Sequence, residues 1–212
     1  MSIVFTARPR KKIEQRQLEL RGRLWPEITD GHLWRRKHHQ GFVTLPRTMP
    51  LMLTIMDDLS EGQPVSSTYL ELWCRAFDEC FVTLSKPREM AFHAGFTGQR
   101  GERTWRGRMK ILAKLGFIDV KEGSSGPMSY ALILNPYLVI RRLMQQKNPG
   151  IRADKYNALM ERAGEIAAVD LDMPDPWAPP LAETSPATPA PKEATARPSP
   201  RMASQRVRHR AS

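Results

Sequence analysis

Arg103-Thr-Trp-Arg-Gly-Arg-Met-Lys-Ile-Leu-Ala-Lys-Leu-Gly-Phe-Ile118 decides the fold, because its charged and apolar residues separate at helical spacing. Trp105, Met109 and Leu112 stand at i, i+4 and i+7, so they are expected to face a core. Arg103, Arg106, Gly107, Lys110 and Lys114 fall on the opposite side. One flank of this segment can pack while the other meets a polyanion.

Working outward, Lys86-Pro-Arg-Glu-Met-Ala-Phe-His-Ala-Gly95 has a proline where a first helical turn accepts it and a glycine where a helix stops. The glycine-containing turn Phe96-Thr-Gly-Gln-Arg-Gly101 lets the two helices cross steeply. Downstream, Gly116 ends the basic helix, Ile118-Asp-Val120 reads as a strand and Met128-Ser-Tyr-Ala-Leu-Ile-Leu134 as its return. Between them, Lys121-Glu-Gly-Ser-Ser-Gly-Pro127 reads as a flexible tip with one cation. Helix, turn, basic helix and hairpin predict a mainly α fold with a small β-wing. That is a winged helix-turn-helix with extra helices and disordered termini.

The flanking chain divides by composition. Residues 1–41 form a basic arm with a short helix ending before Pro26, followed by Trp34-Arg-Arg-Lys-His-His39. An aromatic beside cations suits a DNA backbone or an unstacked base, and suits equally a solvated arm whose tryptophan tucks onto the domain. Residues 42–135 are predicted to be the winged-helix domain, opening with a strand Phe42-Val-Thr-Leu45 and an apolar helix from Pro50 to Leu59. A second helix is expected from Ser66 to Leu84, with Tyr69, Leu72, Trp73, Ala76, Phe77, Cys80 and Phe81 as a core or dimer stripe. Residues 136–170 should be two helices, acting as a flap on the core or as a self-association surface. Residues 171–212, rich in proline, alanine, serine and threonine, should be a disordered tail ending in Arg201-Met-Ala-Ser-Gln-Arg-Val-Arg-His-Arg210.

Composition sets outer limits. The 212 residues hold 33 Lys and Arg against 22 Asp and Glu, a formal charge of +11 that favours nucleic acid or an acidic membrane surface. The excess is uneven: ten cations meet four anions in 1–43, two meet six in 44–83, and eight meet two in 84–115. Charge therefore collects on the arm and the basic helix, as a nucleic-acid footprint should. No run approaches the roughly 18 apolar residues of a membrane span, and the start is too weakly apolar for a signal peptide. A cytoplasmic setting is expected, with no membrane partner. Cys74 and Cys80 lie off a common face of the predicted helix, so a disulfide is not expected, and the histidines complete no metal set. Asp57-Asp58 points apart on a helix and reads as capping and solubility. With no phosphate-cradling loop and no nucleophile elbow, neither an enzyme nor a cofactor is expected.

Leu112-Ala-Lys-Leu-Gly-Phe-Ile118 resembles the helix-to-wing junction of bacterial winged-helix proteins, and Ala131-Leu-Ile-Leu-Asn-Pro136 strengthens a similarity to modules of plasmid replication initiators. The resemblance covers roughly 44–140 and implies sequence-specific binding of double-stranded DNA in plasmid or mobile-element replication, or its transcriptional control, at the nucleoid or plasmid. Arg103, Arg106 and Lys110 are the candidates for base edges or flanking phosphates. Arg100, Arg108 and Lys114 are expected on phosphates, with Thr104, Gly107, the wing's Lys121 and the arm's Arg35, Arg36 and Lys37 completing the DNA-binding set. Gly107 weakens a helix by about 1 kcal/mol, so either close approach to DNA or packing against another backbone should compensate. A homodimer and a replication or partition protein are the candidate protein partners. An adaptor that bridges such a complex with only non-specific DNA contact is the alternative class, and RNA binding a minor one.

Overall fold

A computed structural model describes residues 8–36 and 38–178, of which the part up to Pro174 forms one unit and Asp175 opens a second. About half of the described residues are helical, joined by one small three-stranded antiparallel sheet. The helices are α1 (Arg8–Leu24), α2 (Met49–Leu59), α3 (Ser66–Arg75), α4 (Pro87–His93), α5 (Gly101–Leu115), α6 (Pro136–Gln145) and α7 (Ala153–Glu165). The strands β1 (Phe81–Thr83), β2 (Ile118–Gly123) and β3 (Gly126–Ile133) lie in the order β1-β3-β2.

Helix α5 is the organising element. Trp105, Met109 and Leu112 are fully buried and join Met52, Ile55 and Met56 of α2 and Tyr69 and Leu72 of α3 in one core. The 3.6-residue period that separated them from the cations in sequence is thus realised in space. Helix α5 packs on α4, α3 and β2. Its start needs glycine, because a Cβ on Gly101 would lie 2.5 Å from the Phe96 carbonyl oxygen. Its end is Gly116 at φ 85, the left-handed stop that lets Phe117 donate back to Leu112 at 3.0 Å.

The hairpin then alternates with period two: Ser129, Ala131 and Ile133 are buried while Leu132 is exposed. Strands β2 and β3 continue nearer the tip than the predicted 121–127 loop, to Gly123 opposite Gly126, with an irregularity after Lys121. Two expectations fail upstream. Phe42 to Leu45 is not a strand; both edges of β3 are taken by β1 and β2, and Thr44 instead offers its carbonyl to Trp73 Nε1 at 3.0 Å. The helix expected from Ser66 to Leu84 stops at Arg75, because the chain turns at Phe77–Cys80 and pairs with β3. Ile133 donates to the Cys80 carbonyl and Leu84 to that of Ser129, each at 2.8 Å, so backbone pairing replaces helical bonds. Val82 and Leu84 point inward, whereas Phe77 is 88% exposed and Phe81 partly so, and the supposed stripe is broken. Cys74 and Cys80, now on different elements, are both free and exposed.

Asp57 caps a neighbouring helix: Val65 and Ser66 donate to its Oδ1 at 2.7 and 2.8 Å, satisfying orphan donors at the start of α3. Asp58 pairs with Lys155 of α7 at 2.5 Å. The helices of 136–170 pack on their own chain, α7 against α2, and Asn135 caps α6 by accepting from Tyr137 at 3.0 Å. The expected tail boundary moves: Leu171 is buried and Arg141 donates to its carbonyl and to that of Met173, so the packed chain passes 170. The rest of the predicted tail from 179 lies outside the described residues. No described helix is long and apolar enough to cross a membrane.

Candidate nucleic-acid interface

The outward side of α5 carries what its inward side cannot. Arg103, Lys110 and Lys114 are exposed and make no ion pair among the described residues, leaving three cations along one stripe of about three helical turns. Arg100, in the turn just before the helix, is exposed beside them. Arg100, Arg103, Thr104, Gly107 and Arg108 line one shallow polar groove together with Gln63 from the turn after α2. Five of the sequence-derived residues therefore meet on one surface.

The remaining candidates divide. Arg106 turns aside to Glu102, one turn earlier, with Nε and Nη2 each 2.9 Å from Oε1, so its charge is already matched. Arg108 is half-buried and donates to Gln63 Oε1 at 2.5 Å, which fixes the groove wall. Thr104 donates its hydroxyl to the Arg100 carbonyl at 3.0 Å, bracing the helix start. Lys121 is exposed on β2 but pairs with Asp119 at 3.1 Å, which dilutes the hairpin's positive charge. Arg35 is held by Asp30 at 2.5 Å, and the Arg36 guanidinium lies 5.4 Å from the Phe42 ring centroid. Lys37 lies outside the described residues.

Gly107 resolves one alternative. A Cβ placed there would meet nothing within 4 Å, so no neighbouring backbone of this chain requires the glycine. A gap in the side-chain layer sits between cations and opens outward, where an incoming ligand could approach the helix backbone.

Helix α4 supports α5 and is itself anchored by charge. Glu71 of α3 is only 8% exposed; burial pushes its carboxyl above the usual carboxylate range, while hydrogen bonding to Arg75 acts the other way. Arg75 also reaches Glu89 of α4 at 3.3 Å and His93 Nδ1 at 2.9 Å. Hydrogen bonds from Arg75 and Lys86 hold the exposed Glu89 carboxyl below its usual value. Glu71 is buried although it lies off the apolar side of α3, because α4 covers that flank. Sequence reasoning also missed Gln63: it reaches Arg108 across 45 residues, and no local pattern encodes that meeting. Glu102 was legible, standing four residues before Arg106.

The site offers cations and a hydroxyl from α5 and the turn before it, beside an amide from the turn after α2. Among the described residues no cluster of three or more His, Cys, Asp or Glu could hold a metal ion. Comparison with models of protein families, with curated proteins and with solved structures found no match for the chain.

Proposed function

We propose that the protein binds double-stranded DNA through a winged helix-turn-helix in which α4 is the supporting helix, α5 the reader and β2–β3 the wing. The observation that carries this reading is the stripe of unpaired cations Arg103, Lys110 and Lys114 flanking the side-chain gap at Gly107. An α-helix with such a face fits the major groove, where arginine chelates guanine O6 and N7 and lysine meets flanking phosphates. Arg106 becomes a helix-stabilising partner of Glu102 rather than a first-line reader. Control of replication or transcription on a plasmid or mobile element is the setting that the resemblance carried by Leu112–Ile118 together with Ala131–Pro136 favours.

The test is an anisotropy titration on duplexes selected from a random pool, at about 0.1 M salt where surface charge still acts. Arg103→Ala with Lys110→Ala should weaken binding by at least 1 to 3 kcal/mol, or roughly 5- to 150-fold, and relax the selected site. Arg162→Ala, on α7 and already paired with Glu165, should change nothing. Duplex affinity left intact by the double substitution would remove α5 as the reader.

A further inference from the structure

We propose a second nucleic-acid site on the arm, taking unpaired DNA bases by stacking on Trp34. This rests on the reading of the chain as a DNA-binding protein. Trp34 is 64% exposed, an arrangement that leaves a large apolar ring in water unless a ligand covers it. It does not tuck onto the helical core. His39 stacks on it with ring centroids 5.6 Å apart and planes 10° from parallel, and Phe42 meets it edge-on at 5.9 Å. The stack orients the indole, which at 64% exposure still offers ring surface to a flat partner.

The surroundings fit a single strand. Arg36 lies over Phe42, the ring that meets Trp34 edge-on, and His38 nearby in sequence is exposed, giving donors for backbone phosphates, while Arg35 is already held by Asp30. Phe42 also belongs to the wall of a groove whose far side carries Trp73, Arg75 and the 88% exposed Phe77. Aromatic side chains of the arm and of the domain thus border one groove, with Phe42 common to it and to the Trp34 cluster. Duplex DNA cannot use it, because paired bases hide their faces in the helical stack and offer only their edges.

The full chain is titrated against a labelled single strand of about 20 nucleotides, the matching duplex and the matching RNA strand, with Trp34→Ala and Trp34→Phe beside the unmodified protein. Trp34→Ala should weaken single-strand binding about 5- to 150-fold, the loss of one base–aromatic stack, while Trp34→Phe retains most of the affinity. Duplex binding and the melting temperature should not move, since Trp34 lies outside the buried core. Single-strand affinity unchanged in Trp34→Ala, an equal loss in Trp34→Phe, or an equal loss of duplex binding would overturn the site. Binding of RNA at least about tenfold tighter than DNA would overturn the assignment to DNA. Failure of the duplex reader is separable: an unmodified protein that ignores duplex yet holds single strands through Trp34 loses the α5 proposal and keeps this one.

Discussion

Gly107→Ala separates stability from binding at a single methyl group. The substitution adds a Cβ where nothing of this chain lies within 4 Å, at a helix-interior position with no left-handed backbone to oppose it. Alanine therefore gains about 0.5 to 1 kcal/mol of helix propensity without a packing penalty. For a domain of this size, each kcal/mol moves the melting midpoint by about 2 to 4 °C, so the variant should melt one to four degrees higher. If DNA closes against this stretch of backbone, the same methyl intrudes on a close contact, and overpacking of that kind costs about 1 to 3 kcal/mol. The protein should become more stable and bind duplex about 5- to 150-fold more weakly. Thermal melts and anisotropy titrations on one preparation measure both. A stabilised variant that binds as tightly as the unmodified protein would refute close approach at Gly107, and a destabilised one would refute the open environment deduced for it.

Two further predictions concern the scaffold. Glu71→Gln removes a carboxyl whose pKa burial raises above its ordinary 4.5, so the protonated form favours folding, and that contribution is lost as pH rises through the raised value. The melting temperature of the glutamine variant relative to the unmodified protein should therefore climb as pH rises above the ordinary 4.5, and a flat or falling difference would contradict the burial argument. Asp57→Ala leaves the Val65 and Ser66 amides without their acceptor and should cost about 1 to 2 kcal/mol, or several degrees of melting midpoint. Asp57→Asn, which keeps an acceptor oxygen, should recover most of the loss.

What the sequence made legible was local. Helix α5 spans four turns, so its period rests on many residues, and Trp105, Met109 and Leu112 landed in the core as their spacing required. Gly95, Gly101 and Gly116 marked the ends of α4 and α5 for a similar reason, since each sits where the backbone geometry admits little else. Asp57 was legible as a capping residue, although its target on α3 was not. Strand β1 was hidden because it is three residues long and exists only by pairing with β3, some fifty positions later. The spacing of Phe77, Cys80, Phe81 and Leu84 mimicked a helix, and only the inward Val82 betrays the alternation. In the site, charge and periodicity identified the cationic stripe, but which cations were already matched depended on Glu102 one turn earlier on the same helix and on Gln63, an amide brought in by the fold. Arg106 and Arg108 differ from Arg103 for that reason alone.

Phe117 is fully buried against Tyr69, and around it Phe117 donates to Leu112 while Leu134 donates to Phe117, each at 3.0 Å. Helix and hairpin are therefore tied together at their root. Tilting α5 by a few degrees swings the tip at Ser124 and Ser125 along the same arc. If α5 enters a groove as proposed, that placement also fixes where the fingertip falls, and a ligand whose groove width or bend displaces one must displace both.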